Sequence, residues 1–359
     1  MLSDPSVATR PVADRGATIG AYRRKVRLRV LILVCMTLMG VAAFALDIST
    51  GPSALSLRDV WAGLFTPERL SAPELTIIRD VRLPYALMAI LVGAALSLAG
   101  AEMQTILNNP LASPFTLGVS SAASFGAALA IVLGLSLPFV PADWMVPINA
   151  FLCAFGSVLL LEMLARSRAA GLEGVVLFGI ALVFTFNALV ALVQFVASQE
   201  ALSQLVFWTM GSLGRATWGN LAVLGAVVAV VAPFSMRAAN AMTALRLGED
   251  RARSFGIDVQ RLRLASLLRI SALAATSVAF VGTIGFIGLV GPHIARMLLG
   301  EDHRFLLPAS MLTGAVIMSL ASVFSKTMVP GVMLPVGIVT SMIGVPVFLA
   351  LILRRPGRA

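Results

Sequence analysis

The sequence is poor in the residues that carry covalent and metal chemistry, with two cysteines and two histidines in 359 residues. Cys35 and Cys153 fall inside apolar runs and have no partner at the spacing that metal or redox work needs, so they read as packing residues. No G-x-x-x-x-G-K-[ST] phosphate loop occurs, which excludes ATP hydrolysis by this chain alone. Acids are few, 17 against 27 lysines and arginines. Glu102, Asp143 and Glu162 sit near the ends of apolar runs, and most other acids lie in loops. An ion-coupled secondary transporter would ordinarily bury carboxylates or histidines at mid-membrane as relays, so their scarcity there argues against that class. No catalytic residue, metal ligand or cofactor is expected.

Apolar sequence, by contrast, is abundant. With 58% hydrophobic and 12% charged residues and a mean hydropathy of +0.94, the chain has more apolar surface than a soluble core can hide. Runs long enough to cross about 30 Å of hydrocarbon as helices recur along it. Ten are expected, at 30–46, 84–103, 115–135, 144–165, 174–197, 218–236, 264–283, 285–299, 305–327 and 334–353, the eighth short. The fold class is therefore an all-α membrane protein.

The net charge of +10 follows the positive-inside rule and does not call for nucleic acid as a partner. Arg10, Arg15, Arg23, Arg24, Lys25, Arg27 and Arg29 outweigh Asp4 and Asp14 before the first run, which puts the N-terminus in the cytoplasm. Ten crossings return the C-terminus to that side, in agreement with Arg354, Arg355 and Arg358, with Arg166 and Arg168, and with the basic loop from Arg237 to Arg263. No convincing small-residue cleavage site follows the first run, so it reads as an anchor in the cytoplasmic (inner) membrane.

Gly100 and Pro110 in "GAEMQTILNNP" share the spacing of Gly282 and Pro292 in "GTIGFIGLVGP". In this topology the two copies enter the membrane from opposite sides, as the halves of an inverted repeat do. Close helix packing through small residues explains them equally well. In "GPHIARMLLGEDHR", a helix opened by Pro292 and closed by Gly300 would set His293 and His303 about 15 Å apart along the axis and about 80° apart around it. They cannot then share one metal on one helix. His303 belongs to the turn "GEDHR", where Gly300 supplies a left-handed cap and Asp302 caps the next helix.

The stretches "RLPYALMAILVGAALSLAGAEMQTILNNPLASPFTLGVSSAASFGAALA", "VFWTMGSLGRATW", "LGEDRARSFGID", "GFIGLVGPHIARMLLGEDHRFLLP" and "LPVGIVTSMIGVPVFLALILRR" resemble the permease subunits of type II ATP-binding-cassette importers of the FecCD-like family, which serve ferric siderophores, haem and cobalamin. The resemblance runs in family order from about Leu57 to Arg355. It implies a ten-helix permease domain over 30–355, a second permease subunit, two cytoplasmic ATP-binding subunits and an extracytoplasmic substrate-binding protein. Ferric siderophore is the first choice of cargo, with haem and cobalamin open. The basic tail, 1–29, lies outside the match and is expected to be disordered.

Three sites follow from the resemblance. "TALRLGEDRARSFGIDVQRLR" is too charged for the membrane and reads as a surface helix pair, with Gly248 and Gly256 bracketing a turn around Ala252. The resemblance makes Gly248, Ala252, Arg253 and Gly256 the ATPase coupling element, with Ala252 a small contact position; the alternative is a solvated loop. Asn187 and Thr185 lie in the apolar "GIALVFTFNALVALVQF", where an amide is costly unless paired. The resemblance makes them the pathway gate, and simple interhelical hydrogen bonding is the alternative. Arg82 and Lys326 are expected to dock the binding protein from the outer face, with snorkelling as the alternative. The pattern is thin there, because Tyr85, Ser322 and Met333 stand where the family commonly has charge.

Overall fold

Backbone groups in hydrocarbon must pair within their own segment, and this chain meets that demand with helices. The computed structural model describes residues 15 to 353 apart from 52, 54, 67, 69, 136, 166–171 and 330. The helices are α1 (Arg15–Ser49), α2 (Leu57–Phe65), α3 (Ala72–Thr76), α4 (Leu83–Ile106), α5 (Val119–Leu133), α6 (Ala142–Ala165), α7 (Leu172–Phe195), α8 (Gln199–Thr209), α9 (Trp218–Arg237), α10 (Ala239–Leu245), α11 (Glu249–Ser254), α12 (Val259–Val281), α13 (Ile287–Leu299), α14 (His303–Thr327) and α15 (Val336–Leu353). Among the described residues, seven helices are long and apolar enough to cross a membrane, and three shorter apolar ones bring the number to ten. They match the ten expected runs one for one.

The first run begins earlier than its apolar residues suggest. Helix α1 starts at Arg15 and runs for 35 residues, roughly 52 Å. The stretch from Arg15 to Arg29 is therefore helical, which corrects the expected disorder of that part of the tail. Residues 1–14 lie outside the described residues, as do Arg166, Arg168, Arg354, Arg355 and Arg358.

Helix α4 is the axis of the bundle. In its most apolar stretch 78% of residues are buried inside the chain, against 17% for α7, and it packs chiefly on α12, α13 and α14. Glycines permit this. A Cβ on Gly93 would lie 2.3 Å from the Gly314 carbonyl oxygen of α14, and one on Gly100 would lie 1.9 Å from the Gly288 carbonyl oxygen of α13. Without a hydrophobic drive between helices in lipid, such backbone approach supplies the packing energy.

Pro292 sits inside α13 rather than opening it, a correction to the expected helix start. Its missing N–H deprives the Gly288 carbonyl of an intrahelical partner. Gln104 of α4 donates to that carbonyl through Nε2 at 3.4 Å. The shared spacing of Gly100–Pro110 and Gly282–Pro292 does not mark equivalent positions either, because Gly100 is inside α4 while Gly282 ends α12 with φ 76°. The packing reading explains Gly100.

Candidate functional site

One end of the bundle carries α10 and α11, and the residues around them form a continuous polar network. Gly248 and Gly256, at φ 112° and 80°, take backbone shapes that other residues resist, and so bracket α11 as its sequence implied. Arg246 donates to Asn108 Oδ1 at 2.6 Å and to Glu301 Oε1 at 3.1 Å. Arg296 of α13 joins the same Glu301 at 3.1 Å. Arg263 of α12 pairs with Glu249 and donates through Nε to the Ile106 carbonyl at 3.3 Å. The short helices are thereby tied to the ends of α4, α12 and α13.

Asp302 caps α14 as expected, accepting from the Arg304 backbone N–H at 3.2 Å. Hydrogen bonds from the Arg304 side chain and backbone, and the nearby Arg29, hold its carboxyl below the ordinary range. Just beyond, His303 is fully buried. Its Nε2 meets Thr105 Oγ1 of α4 at 2.7 Å and its Nδ1 meets Thr243 Oγ1 of α10 at 3.2 Å. Both ring nitrogens are taken by threonines. His293 lies on α13, so the two histidines sit on different helices, and no group of three or more metal-ligating side chains occurs among the described residues.

The expected coupling residues divide. Arg253 is exposed, with a loose 3.5 Å pair to Glu249, and a Cβ at Gly248 or Gly256 would meet nothing within 4 Å. Ala252, however, is completely buried in the core. It cannot be a contact position for a partner, because α11 turns that face inward onto its own chain. What α11 and its flanks turn outward is apolar, Leu247 at 54% and Phe255 at 66% exposure.

On α7, Asn187 is exposed and its side chain has no hydrogen-bond partner among the described residues. Thr185 is exposed as well and donates to its own helix at the Ala181 carbonyl, 2.8 Å away. Phe184 beside them is 72% exposed. Thr185 and Asn187 are on opposite sides of the helix, two residues apart, and it is the Asn187 amide that needs a second chain or water against it.

At the opposite end Arg82 and Lys326, the expected docking charges, are both engaged inside the chain. Arg82 is buried and donates to the Ile48, Ser49 and Ser53 carbonyls and to Ser53 Oγ, the last at 2.7 Å. It caps the C-terminal carbonyls of α1 and its following loop. Lys326 is buried too, 2.6 Å from Asp47 Oδ1 and 4.3 Å from the centroid of the Tyr85 ring. Lys326 is thus neutralised by Asp47, whereas the partners of Arg82 are uncharged.

A family model described as the FecCD transport family matches residues 28–354. The chain belongs to that family. It is 35% identical over 325 residues to the hemin transport system permease protein HmuU of Yersinia pestis, covering 90% of this chain and 94% of that one. It is 33% identical to the Fe(3+) dicitrate transport system permease protein FecD of Escherichia coli (strain K12), covering 91% and 99%. Among solved structures, an inward-facing metal-chelate type ABC transporter superposes with a TM-score of 0.79 at 31% identity, covering 90% of this chain and 99% of that one.

As a FecCD permease the chain is the multi-pass inner-membrane subunit of an ABC importer, with ATP hydrolysis left to separate subunits. Several residues that organise this FecCD permease escape sequence reading. Asp47 and Lys326 could have been paired as lone opposite charges at matched depth. Thr105 and Thr243 carry no such signal, since a threonine in an apolar helix ordinarily bonds its own backbone.

Proposed function

We propose that this permease passes a ferric siderophore into the cytoplasm, paired with a second permease subunit, driven by two cytoplasmic ATP-binding subunits and fed by a substrate-binding protein. The α10–α11 end is the cytoplasmic one in this reading, and Leu247, Arg253 and Phe255, shaped by Gly248 and Gly256, form the ATPase contact. The exposed segment of α7 that carries Thr185 and Asn187 lies at the closure between the two permeases.

The observation that carries this reading is the pairing of two features on one surface. Leu247 and Phe255 stand exposed on a segment too charged to lie in lipid, and apolar groups left outward among charges mark a protein contact. The family match supplies the nature of the partner. Siderophore as cargo is supported by the stretches "NPLASPFTLGVSSAASFGAALA" and "VFWTMGSLG", which look most like that branch; haem, carried by the relative from Yersinia pestis, is the second choice.

Reconstitution decides both levels. Proteoliposomes holding the permease, its ATPase and its binding protein are expected to take up radiolabelled ferric siderophore with ATP inside, and to keep doing so when ion gradients are collapsed. Uptake of haem alone would replace the cargo while leaving the machine. Uptake that follows an ion gradient without ATP would remove the whole reading.

A further inference from the structure

Among the described residues, His303 is the one fully buried residue that touches both a short helix of the α10–α11 end and the central helix of the bundle through hydrogen bonds. It opens α14, and its imidazole lies between Thr105 in the last turn of α4 and Thr243 in α10. Its backbone N–H donates to the same Thr243 Oγ1 at 3.0 Å. Three elements therefore meet at one side chain.

The hydrogen bookkeeping of the cluster is restrictive. Each threonine hydroxyl has one proton and two acceptors in reach. For Thr105 these are the Ala101 carbonyl at 2.8 Å and His303 Nε2. For Thr243 they are the Ala239 carbonyl at 2.9 Å and His303 Nδ1. A neutral imidazole has one N–H and one bare nitrogen. One threonine must then donate to the ring while the other receives from it and keeps its proton on its own helix. Either tautomer leaves every donor and acceptor of the cluster paired, so the ring is held from α4 and α10 at once without stranding a buried polar group, which would otherwise be costly.

We propose that His303 is a positioning residue that transmits displacement of α10–α11 to α4 and α14, and that Thr105 and Thr243 are the two ends of this joint. The proposal rests on the reading of α10–α11 as the ATPase contact. It adds the route by which a movement made there reaches the helix that holds the core together. Parallel links exist at Arg246–Asn108 and Arg263–Ile106, but both involve long side chains at the rim, whereas the imidazole is short and fully enclosed.

The test uses the complete importer in proteoliposomes, with complex yield, ATP hydrolysis and cargo uptake measured on each variant. In His303→Ala, Thr105→Val and Thr243→Val the complex is expected to assemble and hydrolyse ATP, while cargo moved per ATP falls roughly 2- to 30-fold, the span seen when a coupling contact is removed. Combining Thr243→Val with His303→Ala should add little to the single loss. His303→Gln, whose amide both donates and accepts, should recover a large part of the ratio. If His303→Ala fails to assemble, the two valine variants decide, since they keep the side-chain outline. A parental cargo-to-ATP ratio in both valine variants overturns the proposal, and so does a loss that follows complex yield alone with no recovery in His303→Gln. Failure of the parent importer to couple uptake to ATP would instead overturn the functional reading on which the joint depends.

Discussion

Asp47 and Lys326 are 279 residues apart in sequence and meet at 2.6 Å inside the protein, with side-chain exposures of 0% and 3%. Ser322 also donates to Asp47 Oδ1, and the Asp47 backbone carbonyl accepts from Lys326 Nζ at 3.0 Å. This cluster pins the end of α1 to α14. Removing one partner strands the other charge, so Lys326→Met should destabilise by about 3–5 kcal/mol, while the combined change with Asp47→Leu should recover much of the loss. Thermal unfolding of the detergent-solubilised subunit checks this, and equal losses in the single and double variants would show that the pair is not the cause.

Gly100 and Gly156 are both helix-interior glycines with opposite surroundings. A methyl at Gly100 of α4 runs into the α13 backbone, while one at Gly156 of α6 meets nothing within 4 Å. Gly100→Ala should cost about 1–3 kcal/mol by overpacking. Gly156→Ala should be neutral or stabilise by up to about 1 kcal/mol through helix propensity. The same unfolding assay, run on the two variants side by side, reads the contrast.

For the ATPase contact, Phe255→Ser and Leu247→Ser should weaken association with the ATP-binding subunits, by about 2 kcal/mol if either is an anchor, with the permease still folded. Ala252→Trp should fail earlier, at folding, because that side chain is enclosed by its own chain. Size-exclusion of the isolated permease followed by ATPase pull-down separates the two outcomes. Normal pull-down in both serine variants would move the contact elsewhere.

Asn187→Cys should cross-link to its counterpart in the second permease in some nucleotide states and not others, if α7 borders the pathway closure. Gel mobility after mild oxidation, with and without a non-hydrolysable nucleotide, is the measurement. Assembled complexes that never cross-link in any state would place Asn187 against lipid or water instead.

Asp302 carries a pH dependence. Its carboxyl is depressed by hydrogen bonds from Arg304 and by Arg29, so its charged form stabilises the folded state. That contribution is complete above the ordinary carboxyl value of about 3.9 and is lost as pH falls through the lower folded value. Asp302→Asn keeps the capping geometry but removes the charge. Its deficit in unfolding temperature relative to the parent should therefore be largest near neutral pH and shrink in acid; a deficit independent of pH would assign the residue to capping alone.

The ten apolar helices, the cap at Asp302 and the bracketing of α11 by Gly248 and Gly256 were all legible in the sequence, because length, hydropathy and terminal chemistry are properties of a segment and its immediate neighbours. The resemblance to importer permeases was legible for the same reason, as it rests on contiguous stretches. What only the tertiary structure decided are the destinations of side chains whose partners lie on another helix. Arg82 and Lys326 look like outward cations until α1 brings the Ile48 and Ser49 carbonyls and Asp47 against them. Ala252 looks like a contact position until α11 rolls it into the core. His303 becomes a joint only when α4 and α10 place a threonine on each side of its ring. Pro292 shows the division well: its sequence reads as a helix opening, and only the structure sets it inside α13, where the Gly288 carbonyl loses its donor and Gln104 of α4 supplies one.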